Sequence, residues 1–171
     1  MSETVSVAVK FKPGEALTRA VERMGGKIIG QGEHRLYSSK ETGFAFTLPA
    51  WNYPLIIREN GSLAFDDYKG NWGDRNQLNE LQQEYALQAA QCKAEELGLY
   101  CERNENLSVT VHFGEGRTIT VDYSGEIEAF GFNGQGCDTA CEQFAEALGQ
   151  TLTVAHKQEF YQEHARINAL E

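Results

Sequence analysis

The chain has 171 residues, of which 41% are apolar and 23% charged, and this ordinary globular usage excludes a largely disordered protein. Its formal net charge of -10 is unevenly spread, because residues 104–171 carry three basic and eleven acidic side chains. Nucleic-acid binding depends on cations that displace phosphate counterions, so the acidic second half is a poor nucleic-acid surface.

The N-terminus lacks the pattern of an export signal, which is a basic stretch followed by an apolar core. No apolar run in the sequence approaches the roughly 18 residues of a membrane helix. We therefore expect a soluble, cytoplasmic protein that does not enter a membrane. In that compartment its cysteines are expected to be reduced.

The first half of the chain begins with alternating strand and helix patterns. Apolar residues at every second position predict a strand over Val5–Phe11, and helical spacing then predicts a helix that ends at Gly25-Gly26. Ile28-Ile29 begins a second strand, residues 35–38 are predicted to be short and extended, and Phe44–Leu48 alternates again.

A hairpin and a long helix complete this half. Asn60-Gly61 between Leu55–Ile57 and Leu63–Phe65 is a strong hairpin signal, because both turn residues tolerate positive φ. Asp74 is placed to cap the helix that follows, and Gln77, three residues on, fits a capping box. Gly98 is expected to end that helix.

The second half repeats the order of a meander followed by a helix. Residues 103–106 are polar and predict a connection, after which three alternating strands are expected over Leu107–Phe113, Ile119–Tyr123 and Ile127–Ala129. A helix should follow from about Cys137 to Leu148. A further short strand at 152–154 and a helical tail over 157–170 complete the prediction.

Together these patterns predict an α+β fold made of two units, each an antiparallel β meander covered by helices. The first unit is residues 1–103, with the order β-α-β-β-β-α. The second is the acidic unit of residues 104–171, with the order β-β-β-α and a C-terminal helical tail.

Two of the four cysteines, Cys137 and Cys141, are candidates for a thiol site. Cys137 follows Gly134-Gln-Gly136 at a predicted helix N-terminus, which favours a thiolate, and the four-residue spacing brings both sulfurs onto one helix face. The same residues also continue an apolar stripe, where cysteine behaves as a small hydrophobe. Two cysteines alone cannot complete a tetrahedral metal site.

Four aromatic side chains are concentrated around one predicted loop: Trp51, Tyr53, Tyr68 and Trp72. They could form a platform on which a protein partner or a base stacks. Alternatively, they fill the open end of a small sheet. Because the surrounding charge is mixed, a protein partner is favoured over nucleic acid.

The sequence offers no established catalytic or metal-binding motif. Asp66, Asp67 and Asp74 bracket the aromatic loop and could do acid–base work, but a strand end and a helix cap also account for them. We therefore expect no metal, no cofactor and no catalytic residue.

The run Gly43-Phe-x-Phe-x-Leu-Pro-x-Trp51-x-Tyr53-Pro54, followed by Asp66-x-Tyr68-x-Gly70-x-Trp72-Gly73, resembles an uncharacterised family of plastids, cyanobacteria and other bacteria. That family has W-x-Y-P and D-N-Y-x-G-x-W-G motifs, and Asp67 departs from its expected asparagine. The second half, with Ile127-x-x-x-Gly131-Phe-x-Gly134-x-x-Cys137, looks like a separate small bacterial domain of unknown function that is often encoded near the first.

The resemblance implies an accessory protein associated with AAA+ ATPases or small ferredoxins, and it carries over no catalytic residue. Our leading hypothesis is therefore a non-enzymatic interaction protein with a partner surface at Trp51, Tyr53, Tyr68 and Trp72. A thiol-dependent redox or metal-binding protein that uses Cys137 and Cys141 is the first alternative. An RNA-binding module that uses the basic residues of the N-terminal half is the second.

Overall fold

The computed structural model describes residues 3–5, 10–37, 39–66, 68–132 and 135–149. In this part of the chain all paired strands are antiparallel, and the predicted α+β class is confirmed. The elements are, in order, β1 (Glu3–Val5), α1 (Glu15–Arg23), β2 (Lys27–Arg35), β3 (Lys40–Thr47), β4 (Leu55–Ile57), β5 (Leu63–Phe65), α2 (Arg75–Glu96), β6 (Tyr100–Asn104), β7 (Ser108–Gly114), β8 (Arg117–Asp122), β9 (Ile127–Phe130) and α3 (Gln135–Ala147).

The first sheet has the strand order β1-β5-β4-β3-β2. The hairpin predicted around Asn60-Gly61 is confirmed, because β4 and β5 pair antiparallel. Gly61 has φ +84°, and the Asn60 side chain accepts a hydrogen bond from the backbone N–H of Ser62 at 2.9 Å. The turn therefore uses the positive φ and the local side-chain bond that these residue types supply.

Two predictions for the N-terminal half are wrong in detail. The extended segment predicted over residues 35–38 is confirmed only at Arg35, the last residue of β2, because the chain then turns and Leu36 N–H bonds to the carbonyl of Ser39 at 2.8 Å. Ser38 lies outside the described residues. Leu36 is buried, so packing draws the chain inward there. Phe11 lies in a loop and not in a strand, although it is buried, and residues 6–9 of that predicted strand lie outside the described residues.

The second sheet has the order β6-β7-β8-β9, and its first strand was missed. The polar residues 103–106 were expected to be a connection, but Arg103 and Asn104 belong to β6 and pair with β7. Arg103 bonds to Glu84 on α2, and the Asn104 amide donates to the hydroxyls of Ser108 and Thr110. Side-chain partners from neighbouring elements therefore stabilise a strand that has no apolar alternation.

The long helix α2 begins at its predicted cap, since Asp74 accepts a hydrogen bond from the backbone N–H of Asn76 at 2.9 Å. The reciprocal bond of a capping box is replaced, because Gln77 Oε1 instead accepts from the backbone N–H of Ala50 at 3.2 Å. Residues 85–90 are all buried, so the middle of α2 is enclosed all round and not only along one stripe. It packs against α1, α3 and strands β6 to β8.

The first sheet is covered on both faces. One face, with Phe46, Leu55 and Phe65, joins a core that also contains residues of α2, α3 and the second sheet. The opposite face carries a smaller cluster of Leu36, Ala45, Ile56 and Ala64, against which Tyr53 packs. The division into units at residues 103 and 104 stays a prediction, and the predicted elements at 152–154 and 157–170 lie outside the described residues.

Candidate functional site

Trp51 lies in the core, apart from the other rings of the predicted partner surface. It is 7% exposed and meets the edge of Phe65 at a centroid distance of 5.2 Å. Its ring face also lies against Gly73, where an added Cβ would come within 2.2 Å of the Trp51 Cε3 atom. Trp51 therefore supports the loop from below, and Gly73 is required for this close approach.

The other three predicted rings come together at the surface with a fourth, and we call this group the aromatic cluster: Tyr37, Tyr53, Tyr68 and Trp72. Trp72 is at its centre, with ring centroids 4.6 Å from Tyr37, 5.6 Å from Tyr53 and 4.6 Å from Tyr68. Tyr68 stacks on Trp72 with an interplanar angle of 22°. Tyr37 is 55% exposed and Tyr68 45%, so the cluster presents ring surface to solvent.

The loop that presents Tyr68 has an unusual backbone. Tyr68 and Lys69 have φ +44° and +55°, and Gly70 follows with φ +91°. Positive φ costs about 1 kcal/mol or more for each residue that is not glycine, and such strain is concentrated at functional sites. The far side of the loop is fixed by a hydrogen bond of 2.8 Å from Asn52 N–H to the carbonyl of Trp72.

Asp66 lies beneath the aromatic cluster and is fully buried. Its Oδ2 accepts a hydrogen bond of 2.7 Å from the backbone N–H of Tyr37. Its Oδ1 has no hydrogen-bond partner among the described residues, and the same is true of Trp51 Nε1. Asp66 thus holds Tyr37 in place and leaves one buried carboxylate oxygen unsatisfied.

Sequence reasoning missed Tyr37 as a member of this site. It precedes Tyr53 by 16 positions, in the segment that was predicted to be extended, and only the turn between β2 and β3 brings it to Trp72. Asp66 was considered in the sequence as a possible acid–base group and as a strand end, and not as a partner of Tyr37. The side chain of Asp67 lies outside the described residues, and partner binding by the rings stays a prediction.

Each cysteine side chain that the structure describes is buried or half-buried. Cys141 is buried on α3 in the core, and the side chain of Cys137 lies outside the described residues. Cys92 and Cys101 are half-buried, and burial raises the pKa of each thiol above its usual value. Thiolates are the reactive species, so these two cysteines are poor nucleophiles at neutral pH.

Several cations of the N-terminal half are already paired with carboxylates. Arg19 contacts Glu15 and Glu95, and Arg23 contacts Glu84 at 3.3 Å. Glu84 also receives the guanidinium of Arg103. These pairs lower the positive potential that an RNA backbone would require.

No three His, Cys, Asp or Glu side chains come close enough to hold a metal ion in the part of the chain that the structure describes. Over the same residues, none of the helices combines the length and the apolar character that crossing a membrane requires.

Comparisons with known proteins add no family assignment. No family model matches the chain, and the searches of curated proteins and of solved structures also found no match. The resemblance of the tryptophan and tyrosine motifs to a plastid and bacterial family stays a prediction.

Proposed function

We propose that this chain is a non-enzymatic interaction protein whose aromatic cluster contacts a protein partner. The observation that carries the proposal is the exposed stack of Tyr68 on Trp72, presented by two residues at positive φ. Tyrosine and tryptophan supply large contact areas at a low cost in side-chain entropy and are enriched among the residues that dominate interface energies.

A purely structural role fits the cluster less well. Rings that only plug a sheet end would be buried, as Trp51 is, whereas Tyr37 and Tyr68 leave about half of their surface in water. The smaller apolar cluster on this sheet face is buried, and Tyr53 packs against it. A role in binding would account for the strained backbone of the loop, because this backbone holds the Tyr68 ring at the surface in a fixed orientation.

Only the motif resemblance suggests what kind of protein the partner is, and it points to an AAA+ ATPase or a ferredoxin-like redox protein. Both are tested in the same experiment. The tagged chain is used to recover a partner from the organism that encodes it, and binding is then measured between the two purified proteins.

The decisive variants remove exposed rings inside and outside the cluster. Tyr37→Ala with Tyr68→Ala is expected to weaken partner binding by at least about tenfold, the effect of losing a hot-spot residue. The matched control is Tyr100→Ala with Tyr123→Ala, two exposed tyrosines in β6 and just after β8, which should leave binding unchanged. Equal binding by both double variants would refute the proposal.

A further inference from the structure

We propose that the partner binds the aromatic cluster with an uncharged, proline-rich segment in the polyproline II conformation. This inference rests on the proposed function and names the chemistry of the contact. Three features of the cluster select this occupant: the balanced charge around it, the steep angles between its rings, and the unused hydrogen-bond donors that the rings carry.

The charges around the cluster balance one another. The chain segments that carry its rings, residues 35–39, 51–55 and 66–75, contain three acidic and three basic side chains. These are Asp66, Asp67, Asp74, Arg35, Lys69 and Arg75. The Arg75 guanidinium lies 5.5 Å from the ring centroid of Phe65, the residue before Asp66. Because charge complementarity selects partners, a surface without a charge excess favours an uncharged segment.

The rings of the cluster do not form a flat platform. Tyr37 and Tyr53 are inclined to Trp72 by 48° and 66°, and to each other by 67°. A flat nucleobase would contact such a surface one ring at a time. A polyproline II helix has roughly three residues per turn, so its pyrrolidine rings form ridges that pack between inclined aromatic rings.

The polar atoms of the cluster are not used within the protein. In the part of the chain that the structure describes, no hydrogen bond involves the hydroxyls of Tyr37, Tyr53 and Tyr68 or the indole N–H of Trp72. By contrast, the hydroxyl of buried Tyr85 bonds to two backbone groups, at 3.1 and 3.5 Å. The cluster therefore offers O–H and N–H donors to a partner.

A proline-rich segment presents the acceptors that match these donors. Proline has no backbone N–H, and the polyproline II conformation makes no internal hydrogen bonds, so its carbonyls are free to accept. A docked helix has already paired most of its carbonyls, and an added strand requires a free sheet edge. The rings of the cluster lie in the connections β2–β3, β3–β4 and β5–α2, and not on a strand.

The test uses an octaproline peptide and follows the indole N–H resonances of the full chain by NMR. The Trp72 signal should shift in a saturable manner, while the signal of buried Trp51 serves as the internal reference. A glycine–serine peptide of the same length is also uncharged, and it should bind at least about fivefold more weakly, because it is flexible and must be ordered on binding. The affinity for octaproline should be the same at low and high salt, since no ion pair forms.

Three variants separate ring contact from hydrogen bonding. Tyr68→Leu removes an exposed ring and should weaken octaproline binding by at least about tenfold. Tyr68→Phe keeps the ring and removes its donor, so it should weaken binding by about threefold. Tyr123→Leu, at a tyrosine of nearly equal exposure (43% against 45%), should leave binding unchanged. If a variant does not fold, the two peptides still decide on the native chain.

The inference fails if the two peptides bind equally, if octaproline does not bind, or if its affinity falls steeply as salt is added. Unchanged binding by Tyr68→Phe, or equal losses in the two leucine variants, would likewise overturn it. The proposed function is judged separately by the partner-binding assay with the double tyrosine variants, so that either can fail alone.

Discussion

The aromatic loop and the cysteine-bearing face of α3 were the two strongest candidates for a site in the sequence. In the structure the first is exposed to solvent and the second is packed in the core. Tyr68 stands on a strained backbone with ring surface in water, and it stacks on Trp72. Cys141 sits in a regular helix among buried apolar residues such as Phe144. The contrast teaches that an uncommon residue indicates function when its placement is energetically costly, and packing when its placement is favourable.

The largest expected effect comes from the contact that supports the loop. Gly73→Ala should lower the free energy of unfolding by about 3 kcal/mol, at the upper end for overpacking, because its Cβ would lie 2.2 Å from the Trp51 ring. Urea unfolding measures this. Gly70→Ala is the control, since it meets only backbone strain in open space, and an equal loss in both variants would show that the Trp51 contact is unimportant.

In the buried part of the molecule, ion pairs connect the long helix α2 to its neighbours. Glu84 of α2 bonds to Arg103 of β6 and lies 3.3 Å from Arg23 of α1. Removing one partner of a largely buried pair leaves the other uncompensated, so Glu84→Gln should cost about 2 kcal/mol. Glu80→Gln, one turn earlier and exposed, should change the stability by less than about 0.5 kcal/mol. Similar losses in the two variants would contradict this role.

The same carboxylate predicts a pH dependence. Burial opposes ionisation of Glu84, but the hydrogen bonds from Arg103 and Gln88 and the nearby arginine charges outweigh it, so its pKa is held below the usual value. Its contribution is therefore present above the unfolded-state pKa and lost as pH falls through the folded-state pKa. Unfolding measured from neutral to acid pH should show a smaller loss for Glu84→Gln than for the native chain. Identical slopes would exclude the role of this group.

A smaller effect is expected for the buried sulfur. Cys141→Ala should cost about 1 kcal/mol, the value of a lost apolar group in the core, with no change in partner binding. In the native state Cys141 should resist alkylation by iodoacetamide and become labelled only on unfolding, as followed by mass spectrometry. Rapid labelling of the folded chain would restore the thiol hypothesis.

The smallest effect tests the strain itself. Lys69→Gly should raise the stability by about 0.5 kcal/mol, because relief of positive φ exceeds the added flexibility of the unfolded chain. Glu59→Gly in the β4–β5 turn, where φ is not positive, should instead lower it. A loss at Lys69 as large as that at Glu59 would mean that the loop stores no strain.

Local rules predicted much of the fold. The Asn60-Gly61 hairpin, the Asp74 cap and the apolar alternation of β7 and β8 depend on neighbours in sequence, and each was predicted from them. The strand β6 could not be predicted, because Arg103 is held by Glu84, 19 positions away. The turn after β2 was missed because its cause is the burial of Leu36, which no local pattern reveals.

The candidate site was predicted only in part, and for a similar reason. Tyr53, Tyr68 and Trp72 were found because they are close in sequence, whereas Tyr37 joins them through the fold. Trp51 was placed among them by proximity alone, although its neighbour Gly73 was itself a signal of a close approach. Gly43, the first glycine of the same motif, also marks a close approach, since a Cβ there would lie 2.2 Å from the carbonyl oxygen of Ile57.

The enclosed middle of α2 has a consequence for how this chain can change over time. Because α2 has buried residues along its middle and contacts α1, α3 and strands β6 to β8, its covering comes from both halves of the chain. A product truncated after α2 would carry a bare apolar flank and would associate with copies of itself. We therefore expect a change that separates the two halves of the chain to be costly.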